Sequence, residues 1–280
     1  MAVESRTYAD NRAAGVIHCA VCVGAAGVVG VLLGASTTRP AARVAVTAAT
    51  TWAVLGGTTL GNVGESISDD LDRDNLSGAR ALIPSLCGRD PNSLDVAGVC
   101  RAATESIAEN TSDATVGPLW WGALAGVPGL MIYRMANTLD AMVGYRNAKY
   151  ERFGWASARF DDALNLLPAR LSGLIVVALG PDHGGALRAW RRDGSAHPSP
   201  NAGVVEAAFA GALGLRLGGE TVYPHRVEQR PVLGDGHPPT PSDLRAAVGL
   251  SRRTQTASAV VAMAVAALIG SLGRSGRRTR

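Results

Sequence analysis

The chain has 280 residues, of which 47% are hydrophobic, 18% are charged and only 5% are aromatic, and its mean hydropathy is positive. These values are unusual for a soluble enzyme and make a membrane protein the first hypothesis. Basic residues outnumber acidic ones by 27 to 23, with Lys149 the only lysine. Because this excess is too diffuse to form a nucleic-acid-binding surface, we expect no nucleic-acid partner.

Five apolar segments follow one another along the chain. The first, 13–36, is long enough to cross a bilayer core of roughly 30 Å as a helix. A short turn at Pro40 leads to a second, weaker segment at 44–60, which predicts an antiparallel helix pair. The third, 114–133, is interrupted by glycines and prolines, so we expect it to be kinked or re-entrant. The remaining two segments are 163–180 and 257–273.

This pattern predicts a mainly α fold, a polytopic membrane helical bundle with about four or five apolar segments, some of them re-entrant. We expect residues 1–280 to form a single integral membrane domain with polar regions at 62–112, 134–162 and 181–256. The Arg-rich tail predicts a cytoplasmic C-terminus, because positive charge concentrates on that side of a membrane. We therefore expect a multi-pass protein of the cell membrane, in contact with lipid and with an active site that faces the cytoplasm.

The polar regions raise a question of topology. If all five segments cross, the regions 134–162 and 181–256 lie on opposite faces of the membrane. Each region carries residues typical of an active site. Our hypothesis is therefore that segment 114–133 or 163–180 enters and returns, or packs as a core helix.

Three local patterns give further predictions. Cys19 and Cys22 form a C-x-x-C pair inside an apolar run with no second pair, which favours small apolar packing over a metal or redox site. Residues 66–86 predict one amphipathic helix that ends at Pro84. The Pro-rich loop 233–244 predicts a helix N-cap at Ser242.

An acidic series precedes the third apolar segment. Glu105, Glu109 and Asp113 follow at four-residue steps, which place like charges on one helical face. A hard cation such as Mg²⁺, completed by substrate phosphates, would neutralise them. The alternative is a solvated acidic face. Asn110 adds a polar group on an adjacent face.

A second group of polar residues lies among large apolar ones between 133 and 170. Its members are Asn137, Asp140, Tyr145, Arg146, Asn147, Asp161, Asp162 and Asn165. Helical spacing puts Asp161 and Asn165 on one face. Such a mixture is expected of a site beside a membrane that binds a bulky, amphiphilic ligand. The alternative is a connecting helix held by surface ion pairs.

A third group surrounds the stretch HPSPNAG. Its prolines predict a rigid loop that presents His197, Ser199 and Asn201 before an Ala-rich helix. Arg191 and Arg192 precede it and suit phosphate or carboxylate. No nucleophile-elbow motif and no Walker or dinucleotide-binding motif occurs, so neither a serine triad nor an ordinary nucleotide site is predicted.

Three stretches carry a family resemblance: ESIAENTSDATVGPLWW, YRMANTLDAMVGYRNAKYERFGWASARFDDALNLLPAR and RRDGSAHPSPNAGVVEAAFAGALGLRLGG. They closely resemble the adenosylcobinamide-phosphate synthases, integral membrane proteins of the CobD/CbiB type from cobalamin biosynthesis. The likeness runs from about residue 80 to residue 253. It consists of long strings of rare polar residues in order, which makes it specific.

The resemblance implies an amide ligase. Family members join aminopropanol or its O-phosphate to the remaining propionate carboxylate of adenosylcobyric acid, with ATP as the expected energy source. The corrinoid would be a substrate and not a prosthetic group. ATP and Mg²⁺ are the expected cofactors, and other enzymes of the cobalamin pathway could be partners. An acyl phosphate attacked by the free amine is the plausible route, because a carboxylate and an ammonium do not condense in water at useful rates.

The resemblance also gives the candidate residues their expected roles. The catalytic candidates are Glu105, Glu109, Asp140, Asp161 and Asp162. The metal candidates are Glu105, Glu109 and Asp113. The substrate-binding candidates are Asn110, Asn137, Tyr145, Arg146, Asn165, Arg191, Arg192, His197, Ser199 and Asn201. Trp120, Trp121 and Trp155 could line the corrin site, although the first two also suit a membrane interface.

The resemblance has one departure. The family usually begins with a further membrane-proximal segment that contains Gly-Asp-Pro and His-Pro-Val patterns, which this sequence does not match. We expect either a misassigned start codon or a truncated copy. The alternatives to a ligase are a membrane transporter, suggested by carboxylates beside Gly- and Pro-broken segments, and a non-catalytic scaffold for corrin-pathway enzymes.

Overall fold

The computed structural model describes residues 3–145, 147–223 and 226–278, without the side chains of residues 226 and 273–278. Within these ranges the chain forms eleven α-helices and one antiparallel pair of strands. The helices are α1 (Glu4–Thr7), α2 (Arg12–Ala35), α3 (Pro40–Val54), α4 (Gly57–Asp72), α5 (Leu76–Leu82), α6 (Val96–Thr111), α7 (Gly117–Val143), α8 (Trp155–Leu179), α9 (His183–Asp193), α10 (Ala202–Leu213) and α11 (Pro241–Arg278). The strands are β1 (Leu217–Tyr223) and β2 (Arg226–Leu233). The mainly α prediction is confirmed.

Five helical stretches are long and apolar enough to cross a membrane, as the predicted polytopic bundle requires. They are Arg12–Ala35, Pro40–Asp72, Val96–Val143, Trp155–Leu179 and Pro241–Leu272. Each of the five predicted apolar segments overlaps one of them. The first predicted segment, 13–36, agrees with α2 to within one residue at each end.

Short polar side chains set the beginnings of many helices. Asn11, Asp95 and Asp182 accept hydrogen bonds from backbone N–H groups in the first turns of α2, α6 and α9, at 2.9, 2.7 and 2.7 Å. These bonds satisfy donors that a helix leaves free at its N-terminus. At α11 the cap is Thr240 and not the predicted Ser242. The Thr240 and Asp243 side chains each accept from the other residue's N–H, at 3.4 and 2.9 Å, as in a capping box.

Two predicted helices are each divided in the structure. The stretch 66–86 does not form one helix, because Asp74 adopts a left-handed conformation with φ 57° between α4 and α5. Asn75 then caps α5 by accepting from the Gly78 N–H. The second apolar segment, 44–60, is divided between α3 and α4 at Leu55 and Gly56. The turn at Asp74 and the capping side chain of Asn75 therefore interrupt the helix, although the apolar periodicity continues past them.

The third apolar segment is kinked, as predicted. Residues 112–116 form a π-helix, and Gly126 has φ 63° and ψ −146° inside α7, just before Pro128. A π-helix and a Gly-Pro pair are the usual physical causes of a helix break.

The chain divides into two compact units. Unit 1 contains Met1–Leu55, Gly117–Asn165 and Ala259–Arg280, and unit 2 contains Gly56–Val116 and Leu166–Ser258. Helices α8 and α11 each contribute residues to both units.

Unit 1 is built on the close packing of α2 against α7 and the following loop. A side chain at Gly30 would meet the Pro128 Cα at 2.7 Å, and one at Gly15 would meet the Phe153 carbonyl oxygen at 1.9 Å. Small residues at these contacts let the backbones approach, which is how helices in membranes gain packing energy. The outer face of α2 carries exposed Val and Leu side chains.

Unit 2 contains apolar clusters on both sides of α6. One joins α4, α5, α6 and the start of α11, and includes Ile67, Ile83 and Ile107. Another places Phe209 of α10 against Ala169 of α8. A third packs the strand residues Leu217 and Leu233 on α10. The β1–β2 hairpin thus lies on the apolar face of α10, and the sequence analysis did not predict it.

Candidate active site

The predicted site residues fall in both units. Unit 2 holds the acidic series on α6 and the HPSPNAG turn. Unit 1 holds the polar residues of α7 and of the first part of α8.

A buried ion pair occupies the first position of the acidic series. The Arg89 Nη2 donates to Glu105 Oε2, and the two side chains are only 4% and 3% exposed. Burying two charges removes them from water at a cost of several kcal/mol per ion, which is offset only when each finds good partners. Glu105 is therefore committed to Arg89.

Glu105 also contacts the hairpin. Its Oε1 accepts from the Gly218 N–H at 2.7 Å, while Arg101, one helical turn earlier, donates to the carbonyls of Gly218 and Glu220 at 2.8 and 2.6 Å. Gly218 and Gly219 have φ 79° and 81°, a conformation that glycine adopts without strain. Helix α6 thus binds the irregular start of β1 through a backbone N–H group and through two backbone carbonyl groups.

The HPSPNAG turn is a buried and internally bonded structure. The Ser199 N–H donates to His197 Nδ1 at 3.1 Å, and Ser199 Oγ accepts from the backbone N–H groups of Asn201 and Ala202 at 3.3 and 3.2 Å. The Asn201 amide oxygen accepts from Arg170 at 2.8 Å. Ser199 therefore caps α10, and Asn201 anchors its start to α8.

Glu206 on α10 lies directly opposite His197. The Nε2 of His197 and Oε1 of Glu206 are 3.8 Å apart, and the two side chains are 4% and 2% exposed. Burial raises the pKa of Glu206 well above its ordinary value, and the charges of Glu105 and Glu109 act in the same direction. Burial lowers the pKa of His197 to about 4, helped by the positive charge of Arg230. His197 is therefore neutral at pH 7, and burial favours the neutral form of Glu206.

His197 Nδ1 has two contacts with Ser199, the backbone N–H at 3.1 Å and the carbonyl oxygen at 3.3 Å. We assign Nδ1 as the acceptor of the shorter contact, and in that tautomer the neutral ring carries its hydrogen on Nε2, which faces Glu206. Within the described ranges, His197 Nε2, Arg89 Nη1 and Arg230 Nε are buried nitrogen atoms without a hydrogen-bond partner. Buried donors are almost always satisfied in folded proteins, so these three need an explanation.

In unit 1 a chain of hydrogen bonds links α7 to α8. The Tyr133 hydroxyl donates to Asn165 Oδ1 at 2.7 Å, and Asn165 Nδ2 donates to Asp161 Oδ2 at 3.0 Å. All three side chains are buried. Asp161 Oδ1 is buried as well and has no hydrogen-bond partner in the described part of the chain. The predicted pairing of Asp161 and Asn165 on one helical face is confirmed.

Other predicted residues surround Asp161. Asn137 interacts with its carboxylate, and Asp140 and Asp162 lie close enough for their charges to act on it. Asp162 also forms a long ion pair with Arg159, at 3.5 Å. Tyr145 is 59% exposed. Arg146 lies outside the described residues.

The tryptophans of unit 1 have separate surroundings. The Trp121 indole N–H donates to the Leu164 carbonyl at 3.0 Å and so joins α7 to α8. Trp155 is 40% exposed, and the Arg12 guanidinium lies 5.1 Å from its ring centroid.

Comparison with known proteins identifies the family. The model of the CobD/Cbib protein family matches residues 1–251. The chain is 55% identical over 268 residues to the Cobalamin biosynthesis protein CobD of Mycobacterium tuberculosis, covering 93% of this chain and 84% of the relative. The chain belongs to the CobD/Cbib family.

Two more distant CobD proteins agree. The relative from Rhodobacter capsulatus is 48% identical over 204 residues, which cover 72% of this chain and 65% of that protein. The relative from Geobacter metallireducens is 40% identical over 269 residues, covering 94% and 84% of the two chains. No solved structure matches.

Several predicted site residues of this CobD/Cbib chain already form hydrogen bonds or ion pairs with residues close to them. Asn110 donates to the carbonyl and hydroxyl of Ser106, at 2.9 and 3.2 Å. Arg192 binds Asp193 and Asp235, the nearest atoms being 2.7 and 2.8 Å apart. Arg191 is exposed on α9. An anion at Arg192 would have to displace two carboxylates.

The three predicted metal ligands do not form one regular face. Glu105 and Glu109 lie one turn apart on α6, but Asp113 follows in the π-helix, where the turn is wider. Across the residues that the structure describes, no group of three or more His, Cys, Asp or Glu side chains could hold a metal ion. Both oxygens of Glu105 are engaged by Arg89 and Gly218. Glu105 therefore does not fit a metal ligand.

Cys19, Cys22, Cys87 and Cys100 are free thiols. Cys22 Sγ lies 4.0 Å from His18 Nε2, and His18 Nδ1 is 2.8 Å from the Thr7 hydroxyl.

Sequence reasoning missed Arg89, Glu206 and Arg230. Arg89 stands in a loop, Arg230 in an unpredicted strand, and Glu206 in an otherwise apolar helix. Glu206 carried a usable signal, because it is the only ionisable residue between 202 and 213 and α10 is buried all round. A lone acid in such a helix is expensive and needs a reason.

Proposed function

We propose that this chain is an amide ligase of cobalamin biosynthesis. It joins aminopropanol or its O-phosphate to the propionate carboxylate of adenosylcobyric acid, giving adenosylcobinamide or its phosphate. Family membership supports the pathway. The observation that carries the chemistry is the buried Asp161, which keeps one oxygen without a partner among the described residues. That oxygen is suited to accept a proton from an amine.

The proposed reaction has two steps. A carboxylate oxygen of the corrinoid attacks the γ-phosphorus of ATP, which forms an acyl phosphate and releases ADP. The amine nitrogen then attacks the acyl carbon, inorganic phosphate leaves with its bonding electrons, and the nitrogen loses a proton. The base must lie within hydrogen-bond reach of that nitrogen. Asp161 takes this role in the proposal, and Asp140 and Asp162 strengthen its attraction for an ammonium group.

Asn165 and Tyr133 position the base. Their hydrogen bonds fix the orientation of the Asp161 carboxylate through its other oxygen. A base held in one rotamer is more effective than a mobile one, because its geometry does not have to be found in each turnover.

Magnesium and ATP belong to the proposal as the energy source. Because Glu105 does not fit a metal ligand, we route no step through a protein-bound metal at that position. ATP phosphates normally bring Mg²⁺ with several of its waters, and one or two carboxylates complete the site. Glu109 and Asp113 remain the proposed carboxylates for this contact.

The test is product formation in membranes that contain the protein. They are incubated with adenosylcobyric acid, Mg-ATP and either amine, and the product is detected by its mass. We expect product from the parent chain, none above background from Asp161→Asn, and parental amounts from the control Asp10→Asn, an exposed acid of the same unit. No product from the parent with either amine would contradict the ligase.

A transporter is the second candidate function. The non-helical backbone at Gly126 inside α7 is the kind of broken segment that transporters use at their binding sites. The same membranes distinguish the two: a transporter would move labelled corrinoid across sealed vesicles without ATP-dependent change in its mass.

The cytoplasmic orientation of the active site is part of the proposal. Single cysteines introduced at exposed Asn147 and exposed Ser195 would report the two polar regions. We expect a membrane-impermeant thiol reagent to label both from the cytoplasmic side. Labelling of either position from the opposite side would contradict a cytoplasmic orientation of its polar region.

A further inference from the structure

Three buried nitrogen atoms of unit 2 have no hydrogen-bond partner among the described residues and belong to side chains near Glu206. They are Arg89 Nη1 from the loop before α6, Arg230 Nε from β2, and His197 Nε2 from the turn before α10. Arg89 and Arg230 both lie close enough to Glu206 for their charges to act on its carboxyl group, and His197 Nε2 is 3.8 Å from that group. All three side chains therefore lie within electrostatic range of Glu206, and His197 is the one in closest printed contact with it.

Two of these side chains are held in place by hydrogen bonds through another of their nitrogen atoms. Arg89 uses Nη2 for Glu105, and His197 uses Nδ1 for the Ser199 N–H. The side chains of Arg89 and His197 are 4% exposed each. A buried N–H without an acceptor costs about 1–3 kcal/mol, and more when it is charged. Fixed donors with no acceptor are what a pre-organised ligand site requires.

The chemistry of the donors defines the ligand. Three N–H groups, two of them on guanidinium ions, match an oxyanion with several acceptor oxygens. Burial raises the pKa of Glu206, which favours its uncharged form, and an uncharged carboxyl group donates an O–H instead of repelling an anion. We propose that Arg89, Arg230 and His197 form a binding site for an oxyanion, either a phosphate or a carboxylate.

A surface cavity of about 370 Å³ lies at the start of β1 and is lined by Arg101, Arg216, Gly218 and Gly219, among others. Gly218 lines this cavity and also donates its N–H to Glu105, the partner of Arg89. Two arginines of the cavity lining would attract an anion to this part of the surface.

This proposal rests on the proposed ligase function only for the identity of the natural ligand. A phosphate would come from ATP, from the acyl phosphate or from aminopropanol phosphate, and a carboxylate from the corrinoid side chain. The binding test therefore uses simple anions and needs no turnover.

The experiment measures the thermal unfolding of the full chain in detergent by its tryptophan fluorescence. Inorganic phosphate and propionate are titrated separately, with chloride at matched ionic strength as the reference. We expect one of the two oxyanions to raise the unfolding midpoint in a saturable way, as a ligand of the native state must. If neither exceeds chloride, the proposal is overturned.

Two substitutions of His197 form a matched pair. His197→Asn places an amide oxygen near Nδ1 and can still accept from Ser199, but it removes the donor at Nε2. His197→Gln reaches the Nε2 position and restores a donor there. Loss of one hydrogen bond to a charged group weakens binding by about tenfold or more. We expect this loss in His197→Asn and a smaller one in His197→Gln.

Arg230 gives an independent comparison. Arg230→Lys keeps the charge and loses the fork, and we expect it to weaken binding by about tenfold. The control is Arg253→Lys, an exposed arginine of the same unit, with unchanged binding. Equal effects of both lysine variants would overturn the site. Anion binding without ligation would contradict the proposed function alone, and ligation without anion binding would contradict this site alone.

Discussion

Glu105 Oε1 accepts a hydrogen bond from the Gly218 N–H at 2.7 Å, and this bond joins an acidic residue of α6 to the start of strand β1. The other oxygen of the same carboxylate binds Arg89. Glu105 therefore connects a loop, a helix and a strand. Strand β2 of the same hairpin contains Arg230, and the positive charge of Arg230 acts on both Glu206 and His197.

The ion pair leads to a prediction about stability. Replacing Glu105 by Gln keeps an oxygen for Gly218 but leaves the Arg89 guanidinium buried without its counter-charge. Such half-broken buried pairs lose roughly 3–5 kcal/mol of unfolding free energy. Glu65→Gln is the matched control, because its partner Arg252 is exposed and exposed pairs contribute at most about 1 kcal/mol. Chemical denaturation in detergent measures both, and equal losses would contradict a structural role for Glu105.

The glycines at the hairpin start give a graded prediction. A Cβ on Gly218 would lie 2.0 Å from the Pro231 carbonyl oxygen, whereas one on Gly219 would meet only the end of Arg101, at 3.4 Å. Both have positive φ, which costs an alanine about 1–2 kcal/mol. We expect Gly218→Ala to lower the unfolding free energy by more than Gly219→Ala does.

Gly249→Ala is the control for this series. It lies inside α11 and no other described atom is within 4 Å of the added methyl group. Alanine is favoured over glycine in a helix by about 1 kcal/mol. The control should therefore raise the unfolding midpoint, and a fall like that of Gly218→Ala would show that the measurement does not report hairpin strain.

The sequence predicts the apolar helices well because their signal is long and local. The stretch 13–36 needs no partner to be recognised, and it agrees closely with α2. The break at Asp74 was missed because it depends on one turn in which Asn75 caps the next helix. The hairpin was missed because a single pair of short strands has a weak pattern, although Val222 and Val227 stand among polar neighbours.

Only part of the candidate site can be predicted from the sequence, for a similar reason. Asp161 and Asn165 are four residues apart on one helix, so spacing alone brings them together. His197, Glu206 and Arg230 come from a turn, a helix and a strand. Only the folded chain brings His197 to 3.8 Å from Glu206 and Arg230 within electrostatic range of both. Spacing also misled at Asp113, because the π-helix that follows Thr111 changes the turn.

Glu206 makes stability depend on pH. Its pKa is higher in the folded chain than in the unfolded one, so the folded state binds the extra proton and loses stability as pH rises above about 4.5. The charged groups that act on it are Glu105, Glu109, Arg89 and Arg230, and His197 faces it. Glu206→Gln copies the neutral acid and should remove this loss. We expect the variant to gain stability relative to the parent at pH 8, and no gain at pH 4.

His197 has the opposite dependence. Its pKa is about 4 in the folded chain and about 6.5 when unfolded, so its contribution is complete above pH 6.5 and is lost as pH falls towards 4. The loss between pH 7 and pH 5 is about 2 kcal/mol for a shift of this size. His197→Gln cannot titrate and should flatten this part of the curve. Parallel curves for the parent and the variant would show that another group is responsible.

The hydrogen-bond chain of unit 1 gives the last prediction. Tyr133→Phe removes the donor to Asn165 Oδ1 and leaves that buried oxygen with one partner fewer, which costs about 1–3 kcal/mol. Tyr145→Phe is the comparison, because the exposed Tyr145 should contribute almost nothing to stability.

The kinetics of the same two variants distinguish support of the base from binding of the substrate. If Tyr133 positions Asp161 through Asn165, its loss should lower kcat by more than it raises KM, since the base is less well oriented in each turnover. If Tyr145 binds substrate, its loss should raise KM and leave kcat nearly unchanged. A Tyr133→Phe variant that is destabilised but has parental kcat would show that the chain of hydrogen bonds serves stability alone.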